Sequence, residues 1–119
     1  MSLIQFLNSA RAIEPIEFTD VMAMINAQYR YTPTAFSNGV GEKRQQNAAG
    51  QNEGSCKLLA FAKLHQLNKE QTLNLFGQYY HQEVLQDPAG SSHMNIRAFM
   101  ADGWDGVSFD TEPLAAGTK

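Results

Sequence analysis

Residues 56–66, CKLLAFAKLHQ, carry the pattern that decides the fold. The large and small apolar side chains of this stretch cover more than one face of a helix: Leu58, Leu59, Phe61, Ala62 and Leu64. A helix that is apolar on several sides is usually buried at the centre of a domain. We therefore expect a helix over about 56–66, with the other elements packed around it.

Two helices are predicted before this central one. Ser2 and Gln5 have the spacing of a capping box, so a first helix should begin at Leu3. A second helix should run through about 18–29. Its apolar residues recur at the helical period and form one stripe: Phe18, Val21, Met22, Ile25 and Tyr29.

Two more helices are predicted after it. Asn68 and Gln71 repeat the capping pattern, so a fourth helix should occupy about 69–86. Asp87-Pro88 then stops it, because the residue before a proline avoids helical geometry. The fifth helix is predicted near 93–102, with Gly103 as its C-terminal glycine.

Short extended segments complete the predicted fold. Residues 31–36 favour an extended backbone, and 107–109 alternate like a short strand, so the two should pair antiparallel. The polar, glycine-rich stretch 37–53 is predicted to be one long loop, and the chain from Pro113 onward to be loose. We therefore predict an α+β, mostly helical single domain over 1–112, followed by a flexible tail, 113–119.

The composition excludes several classes of protein. In 119 residues, 43% are apolar and 18% charged, which is typical of one globular domain. The net charge is −3 and no basic stripe is visible, so nucleic-acid binding is disfavoured. The longest strongly apolar run, Leu58 to Ala62, is too short to cross a membrane. A single cysteine excludes an internal disulfide and fits a reducing cytosol.

Cys56 is the first candidate for chemistry. A thiol in the first turn of a helix faces unpaired backbone N–H groups, which favour the thiolate, and Lys57 adds positive charge. His93 or His81 would have to act as its base. The alternative is a small buried residue next to a Ser55 cap, and free cysteine is commonly buried and inert.

Metal and cofactor sites find little support in the sequence. The three histidines fall on three different predicted helices: His65, His81 and His93. No His-Glu-x-x-His or paired-cysteine pattern occurs, and the aspartates at 102, 105 and 110 lack the spacing of a calcium loop. The glycines of the long loop match no phosphate-binding motif. No metal and no cofactor are therefore predicted.

A group of hydrogen-bonding residues near one helix and turn looks most like a binding site: His93, Asn95, Arg97, Trp104 and Asp105. Tryptophan and arginine are the usual anchors of a protein interface. The alternative is structural, with Trp104 filling the core and Arg97 bridging Asp105 or a backbone carbonyl.

An ordered set of short motifs runs through most of the chain: Gly54-Ser55-Cys56-Lys57, Phe61-Ala62, Glu70-Gln71-Thr72-Leu73, Phe76-Gly77-Gln78-Tyr79-Tyr80, Asp87-Pro88, His93-x-Asn95-Ile96-Arg97-x-Phe99-Met100 and Gly103-Trp104-x-Gly106-Val107-x-Phe109. Together they resemble the HopJ family of type III effector proteins. The resemblance implies a Gram-negative bacterium whose type III apparatus injects the protein from the bacterial cytoplasm into a host cell. It implies no catalytic residue.

Three functions stay open at this point. The first is a non-enzymatic interaction protein of the effector type, which binds a host or bacterial protein through the 37–53 loop and the Arg97, Trp104 and Asp105 region. The second is a small cysteine-dependent hydrolase or transferase that uses Cys56. The third is a bacterial cytosolic protein that binds a small ligand and carries the effector name by descent.

Overall fold

The computed structural model describes residues 2–42 and 44–116. Its α-helices are α1 Leu3–Arg11, α2 Phe18–Gln28, α3 Glu53–Leu64, α4 Lys69–Asn74 and α5 Met94–Asp102, with a π-helix at Tyr79–Val84 and a 3-10 turn at Gly103–Gly106. Its strands are β1 Tyr29–Tyr31, β2 Phe36–Asn38, β3 Gln45–Asn47, β4 Ser108–Phe109 and β5 Leu114–Ala116. The predicted α+β, mostly helical class is confirmed.

Helix α3 lies at the centre, as its sequence predicts. Leu58, Leu59 and Phe61 are completely buried. Helices α2 and α4 and strand β5 all pack against α3. Leu64, which the sequence also predicted to face the core, is 52% exposed.

The two predicted capping boxes are both present. In α1, Gln5 N donates to Ser2 Oγ at 3.1 Å, and Ser2 N donates to Gln5 Oε1 at 3.0 Å. Asn68 and Gln71 exchange the same two bonds at the start of α4. These local bonds satisfy backbone donors that a helix start leaves unpaired, so both helices begin where the sequence predicted.

The predicted fourth helix over 69–86 is wrong as one element. Helix α4 ends at Asn74, and the π-helix begins only at Tyr79. Between them, Gly77 has a φ of +61°, and a Cβ there would lie 2.9 Å from the backbone nitrogen of Phe18. The start of α2 approaches so closely that the chain must bend at a glycine.

The predicted strand pairing is correct only in part. Phe36 pairs with Phe109 and Ser37 with Ser108, but β1 pairs with β5 instead. Strand β5 lies in the stretch that the sequence predicted to be loose, where Leu114 is only 7% exposed. Residues 117–119 of that predicted tail lie outside the described residues.

The predicted long loop over 37–53 also contains regular structure. Its residues 45–47 form β3, which pairs antiparallel with β2. Among the described residues, the strands form a three-stranded sheet in the order β3-β2-β4 and a two-stranded sheet, β1-β5.

Within residues 2–42 and 44–116, every helix is too short or too polar to cross a lipid bilayer.

Candidate functional site

A cleft of about 230 Å³ lies between the start of α3 and the start of α5; we call it the α3–α5 cleft. It is lined by Phe18 and by residues from three segments that are distant in sequence: Asn52, Gly54 and Ser55; Phe76 and Tyr79; and 93–96. Each of these three segments overlaps one of the short motifs identified in the sequence. The fold therefore brings separate motifs together at one place.

Aromatic rings form one side of the cleft. The ring of Phe18 stacks on that of Phe76 with centroids 6.4 Å apart, and it meets Tyr79 edge-on at 5.2 Å. A Cβ on Gly54 would lie 2.9 Å from the Phe18 ring. Position 54 is thus a glycine because the Phe18 ring occupies the space of a side chain.

Both helices that border the cleft begin in an unusual way. Asn52 precedes α3 with a φ of 50°, and His93 precedes α5 with a φ of 51°, both in the left-handed region. Neither side chain caps its helix. The first backbone N–H groups of α3 and α5 are therefore not satisfied by a side-chain cap.

His93 is fixed from two sides. Its Nε2 lies 2.7 Å from Glu83 Oε1, and its ring packs on Tyr79 with centroids 5.2 Å apart. Both contacts connect the start of α5 to the π-helix. His93 is therefore oriented at the rim of the cleft.

Asn95, in contrast, is buried in an amide network. Its side chain donates to Asn47 Oδ1 at 3.0 Å, and its Oδ1 accepts from Asn47 and Asn38, each at 3.2 Å. Asn52 also donates to Asn47 Oδ1, at 2.6 Å. Asn95 lines the cleft, but its amide is used to hold α5 against β2 and β3.

Two hydroxyl groups at the cleft are free. Within the described chain, Ser55 and Tyr79 line the cleft and their hydroxyls have no hydrogen-bond partner. A serine or tyrosine hydroxyl can both donate and accept. The α3–α5 cleft thus offers polar groups beside an aromatic wall, an arrangement typical of sites that recognise another group.

Cys56 is buried and does not line the cleft. Only 1% of the residue is exposed, and its backbone N–H already donates to Asn52 O at 3.0 Å. Burial raises the pKa of the Cys56 thiol to about 11. Helix α3 begins at Glu53, so Cys56 is the fourth residue of the helix and not, as predicted, the first. The cap position is occupied by Asn52 and not by Ser55.

Arg97 and Trp104 lie apart from the cleft and have structural partners. The buried Arg97 donates to Ser92 O at 2.5 Å and to Asp87 O at 2.8 Å, so it holds the 87–92 segment. Trp104 Nε1 donates to Leu67 O at 2.8 Å and its ring packs edge-on against Phe99.

Asp105 is exposed, and no ion pair connects it to Arg97 in the described chain. Its neighbour Gly106 packs directly against Gly39, where a Cβ on Gly106 would lie 2.6 Å from the Gly39 backbone. The adjoining turn at 39–40 is bonded to Asp102, whose Oδ2 accepts from Val40 N at 2.9 Å, and Val40 is 65% exposed.

The other two histidines are held elsewhere. His65 bonds to the Tyr29 hydroxyl, and His81 lies 2.8 Å from Asn74 Oδ1. Among the described residues, no group of three His, Cys, Asp or Glu side chains could hold a metal ion.

Of the five residues predicted to bind, the structure brings only His93 and Asn95 to the cleft. Sequence reasoning missed Ser55 as a lining residue, and also Tyr79 and Phe18. The Phe-Gly-Gln-Tyr-Tyr motif at 76–80 was the available signal for Tyr79, but its distance from His93 in the sequence concealed their contact.

Comparisons with known proteins give one family and one structure. The family model described as "HopJ type III effector protein" matches residues 3–114. A solved structure titled "Crystal structure of unknown function protein VPA0580" is similar at 46% identity with a TM-score of 0.91, covering 98% of this chain and 95% of that one. No curated protein matches.

Proposed function

This chain belongs to the HopJ type III effector protein family, and from that membership we propose that it is a non-enzymatic interaction protein delivered into a host cell. Its partner is a protein, and the α3–α5 cleft receives one side chain of that partner. The observation that carries the proposal is the convergence of three separate motifs on this single small cleft.

The size of the cleft favours a side chain over a small-molecule substrate. Pockets for small molecules usually measure roughly 300–1,000 Å³. The α3–α5 cleft measures about 230 Å³, which is below that range. A single side chain of a docked protein fits this volume, and the hydroxyls of Ser55 and Tyr79 supply hydrogen bonds to it.

The cysteine hydrolase is the less favoured function. A catalytic cysteine has to be exposed and must ionise readily, whereas Cys56 is 1% exposed and has a raised pKa. With a pKa of about 11, only about one thiol in ten thousand is ionised at pH 7.

A second contact area supports the same function. Val40 is 65% exposed and follows Gly39, which contacts Gly106, the residue after the exposed Asp105. The rim of an interface is polar and accessible to solvent, so an exposed carboxylate such as that of Asp105 is compatible with a rim position. We place the outer part of the partner contact here, whereas Arg97 and Trp104 are engaged by the 87–92 segment and by Leu67.

Site-specific photocrosslinking tests the cleft. A photoreactive phenylalanine analogue replaces Met94, which lines the cleft, in the full chain. Host and bacterial cells are illuminated, and the captured protein is identified. Its affinity is then measured for the wild type and for Ser55→Trp, which fills the cleft. Asn8→Trp, on the exposed side of α1, is the matched control.

We expect Ser55→Trp to weaken binding at least about tenfold, because it occupies the site of the inserted side chain. Asn8→Trp and Cys56→Ala should bind normally, and all variants should retain the far-ultraviolet circular dichroism of the wild type. The proposal is wrong if the captured partner binds Ser55→Trp as tightly as the wild type. It is also wrong if the folded chain captures nothing in either cell type.

Delivery is tested separately. The full chain is fused to a reporter that is active only inside eukaryotic cells, and bacteria with intact and disabled type III secretion are compared. A signal that requires the apparatus supports delivery. If both strains express the fusion equally and neither gives a signal, the protein is not delivered. The protein and its partner would then both act inside the bacterium.

A further inference from the structure

We propose that a second surface, the groove between α1 and α2, docks an amphipathic helix of a partner with positively charged residues. This α1–α2 groove has a volume of about 560 Å³ and is lined by parts of α1, α2 and the 14–16 connection. It shares no lining residue with the α3–α5 cleft, so the two proposals stand independently.

The floor of the groove is apolar. Phe6 from α1, Ile16 from the connection and Met24 from α2 contribute to it, and Ile16 and Met24 are only partly covered. Ala23 and Ala27 lie one turn apart on α2 and are exposed along the same groove. On the side of α2 that lines the groove, small apolar residues therefore lie between the polar residues Asp20 and Gln28.

The shape of the groove favours a helix as the ligand. Two helices border it, and no strand edge lines it that an extended peptide could extend by hydrogen bonds. The volume admits several side chains, as expected for a partner helix that inserts residues at i, i+3, i+4 and i+7. The small side chains of Ala23 and Ala27 let the backbone of that helix approach α2.

The charges at the groove select the kind of helix. Glu14 and Asp20 line it and are exposed, while none of its lining residues is Lys, Arg or His. Neither carboxylate forms an ion pair within the described chain. Complementary charge on a partner steers association and fixes orientation, so the partner helix should carry Lys or Arg beside its apolar face.

A second copy of this chain fits the groove less well. The chain has a net charge of −3, so two copies repel each other on average. The groove itself is acidic, and a copy would have to present a basic helix face to it. A separate partner with a basic amphipathic helix is the occupant that the charges favour.

Peptide binding tests the proposal on the full chain. The probe is a synthetic helix of about 18 residues with Leu at the apolar positions and Lys elsewhere, and the comparison peptide has Glu in place of every Lys. Affinities are measured at low and high salt, and hydrogen exchange locates the bound peptide. The groove variants are Glu14→Gln with Asp20→Asn, and Ala23→Trp.

The chain supplies a matched charge control. Asp110 and Glu112 line a different groove, of about 550 Å³, beside α3. The pair Asp110→Asn with Glu112→Gln therefore removes the same two charges at another place. Both double variants change the net charge from −3 by the same amount, so a general charge effect would appear equally in both.

We expect the Lys peptide to bind and to protect α1 and α2 from exchange, and the Glu peptide not to bind. Removing the Glu14 and Asp20 charges should weaken binding about tenfold and reduce its dependence on salt, while the control pair changes little. Equal loss in the two double variants would overturn the proposal, as would unchanged binding to Ala23→Trp. Self-association that Ala23→Trp abolishes would also overturn it, in favour of a second copy.

Discussion

Asn47 and Asn95 exchange two side-chain hydrogen bonds: Asn47 Nδ2 donates to Asn95 Oδ1 at 3.2 Å, and Asn95 Nδ2 donates to Asn47 Oδ1 at 3.0 Å. Both residues are buried, and they are 48 positions apart in the sequence. The pair attaches β3 to the start of α5, and Asn95 also lines the α3–α5 cleft. The geometry of the cleft therefore depends on this pair.

Replacing either member of the pair should destabilise the protein. Asn95→Ala removes the side-chain oxygen that accepts from Asn38 and Asn47, while Asn38 Nδ2 keeps the backbone oxygen of residue 95 and Asn47 Nδ2 keeps Phe36 O. The loss of these buried hydrogen bonds should cost roughly 1–3 kcal/mol. Urea unfolding of Asn95→Ala, Asn47→Ala and the double variant measures the coupling. The double variant should lose less stability than the two single variants together, since each single variant already removes both of the shared hydrogen bonds. Strict additivity would contradict a direct pair, and Asn8→Ala is the exposed control.

Gly77 should not tolerate a side chain. Gly77→Ala should lower the free energy of unfolding by roughly 1–3 kcal/mol from the left-handed backbone alone, and the contact with Phe18 N adds to this. Gly41→Ala is the matched control, because no atom lies within 4 Å of a Cβ at that position. If both variants unfold at the same urea concentration, the bend at Gly77 is not a constraint on the fold.

The Cys56 thiol should react with a thiol reagent only when the protein opens. Its pKa of about 11 against the ordinary 9.0 reduces the thiolate about a hundredfold, and burial blocks access as well. Labelling is followed at pH 8 with and without denaturant. Ser91→Cys in a Cys56→Ala background, an exposed cysteine on the 87–92 segment, should react at once. Rapid labelling of the native wild type would reopen the catalytic interpretation.

Stability should fall as the solution becomes mildly acidic. Burial, with a smaller effect of the Arg11 charge, lowers the pKa of His65 below 6.5 in the folded state. The unfolded chain therefore takes up the proton first, so the His65 contribution is complete above pH 6.5 and is lost as the pH falls from 6.5 toward the folded pKa.

Urea unfolding between pH 7.5 and pH 5 measures this loss. His65→Gln removes the titrating group, so its stability should depend less on pH than that of the wild type. An equal dependence in the two proteins would show that other groups account for the acid effect.

Because the Tyr29 hydroxyl bonds to His65, Tyr29→Phe should be less stable at pH 7.5 than the wild type.

Local patterns in the sequence determined where helices α1 and α4 begin, which helix is central and which side of α2 is buried. Ser2 with Gln5, and Asn68 with Gln71, specify helix starts because both partners lie within one turn. The run at 56–66 specified the central helix because apolar side chains on several faces require burial on several sides. The helical period of the apolar residues in α2 placed Val21 and Ile25 on one stripe that faces the core, and both are completely buried.

Only the tertiary structure decided the bend at Gly77, the β1–β5 pairing and the α3–α5 cleft. Each depends on groups that are distant in sequence: Phe18 approaches Gly77, Leu114 returns to Tyr31, and Ser55, Tyr79 and His93 meet across three segments. Contacts between residues that are far apart in the sequence leave no periodic or local pattern by which they could be predicted. The roles of Arg97 and Trp104 were decided in the same way, because their partners are backbone carbonyls, which every residue possesses and no sequence pattern identifies.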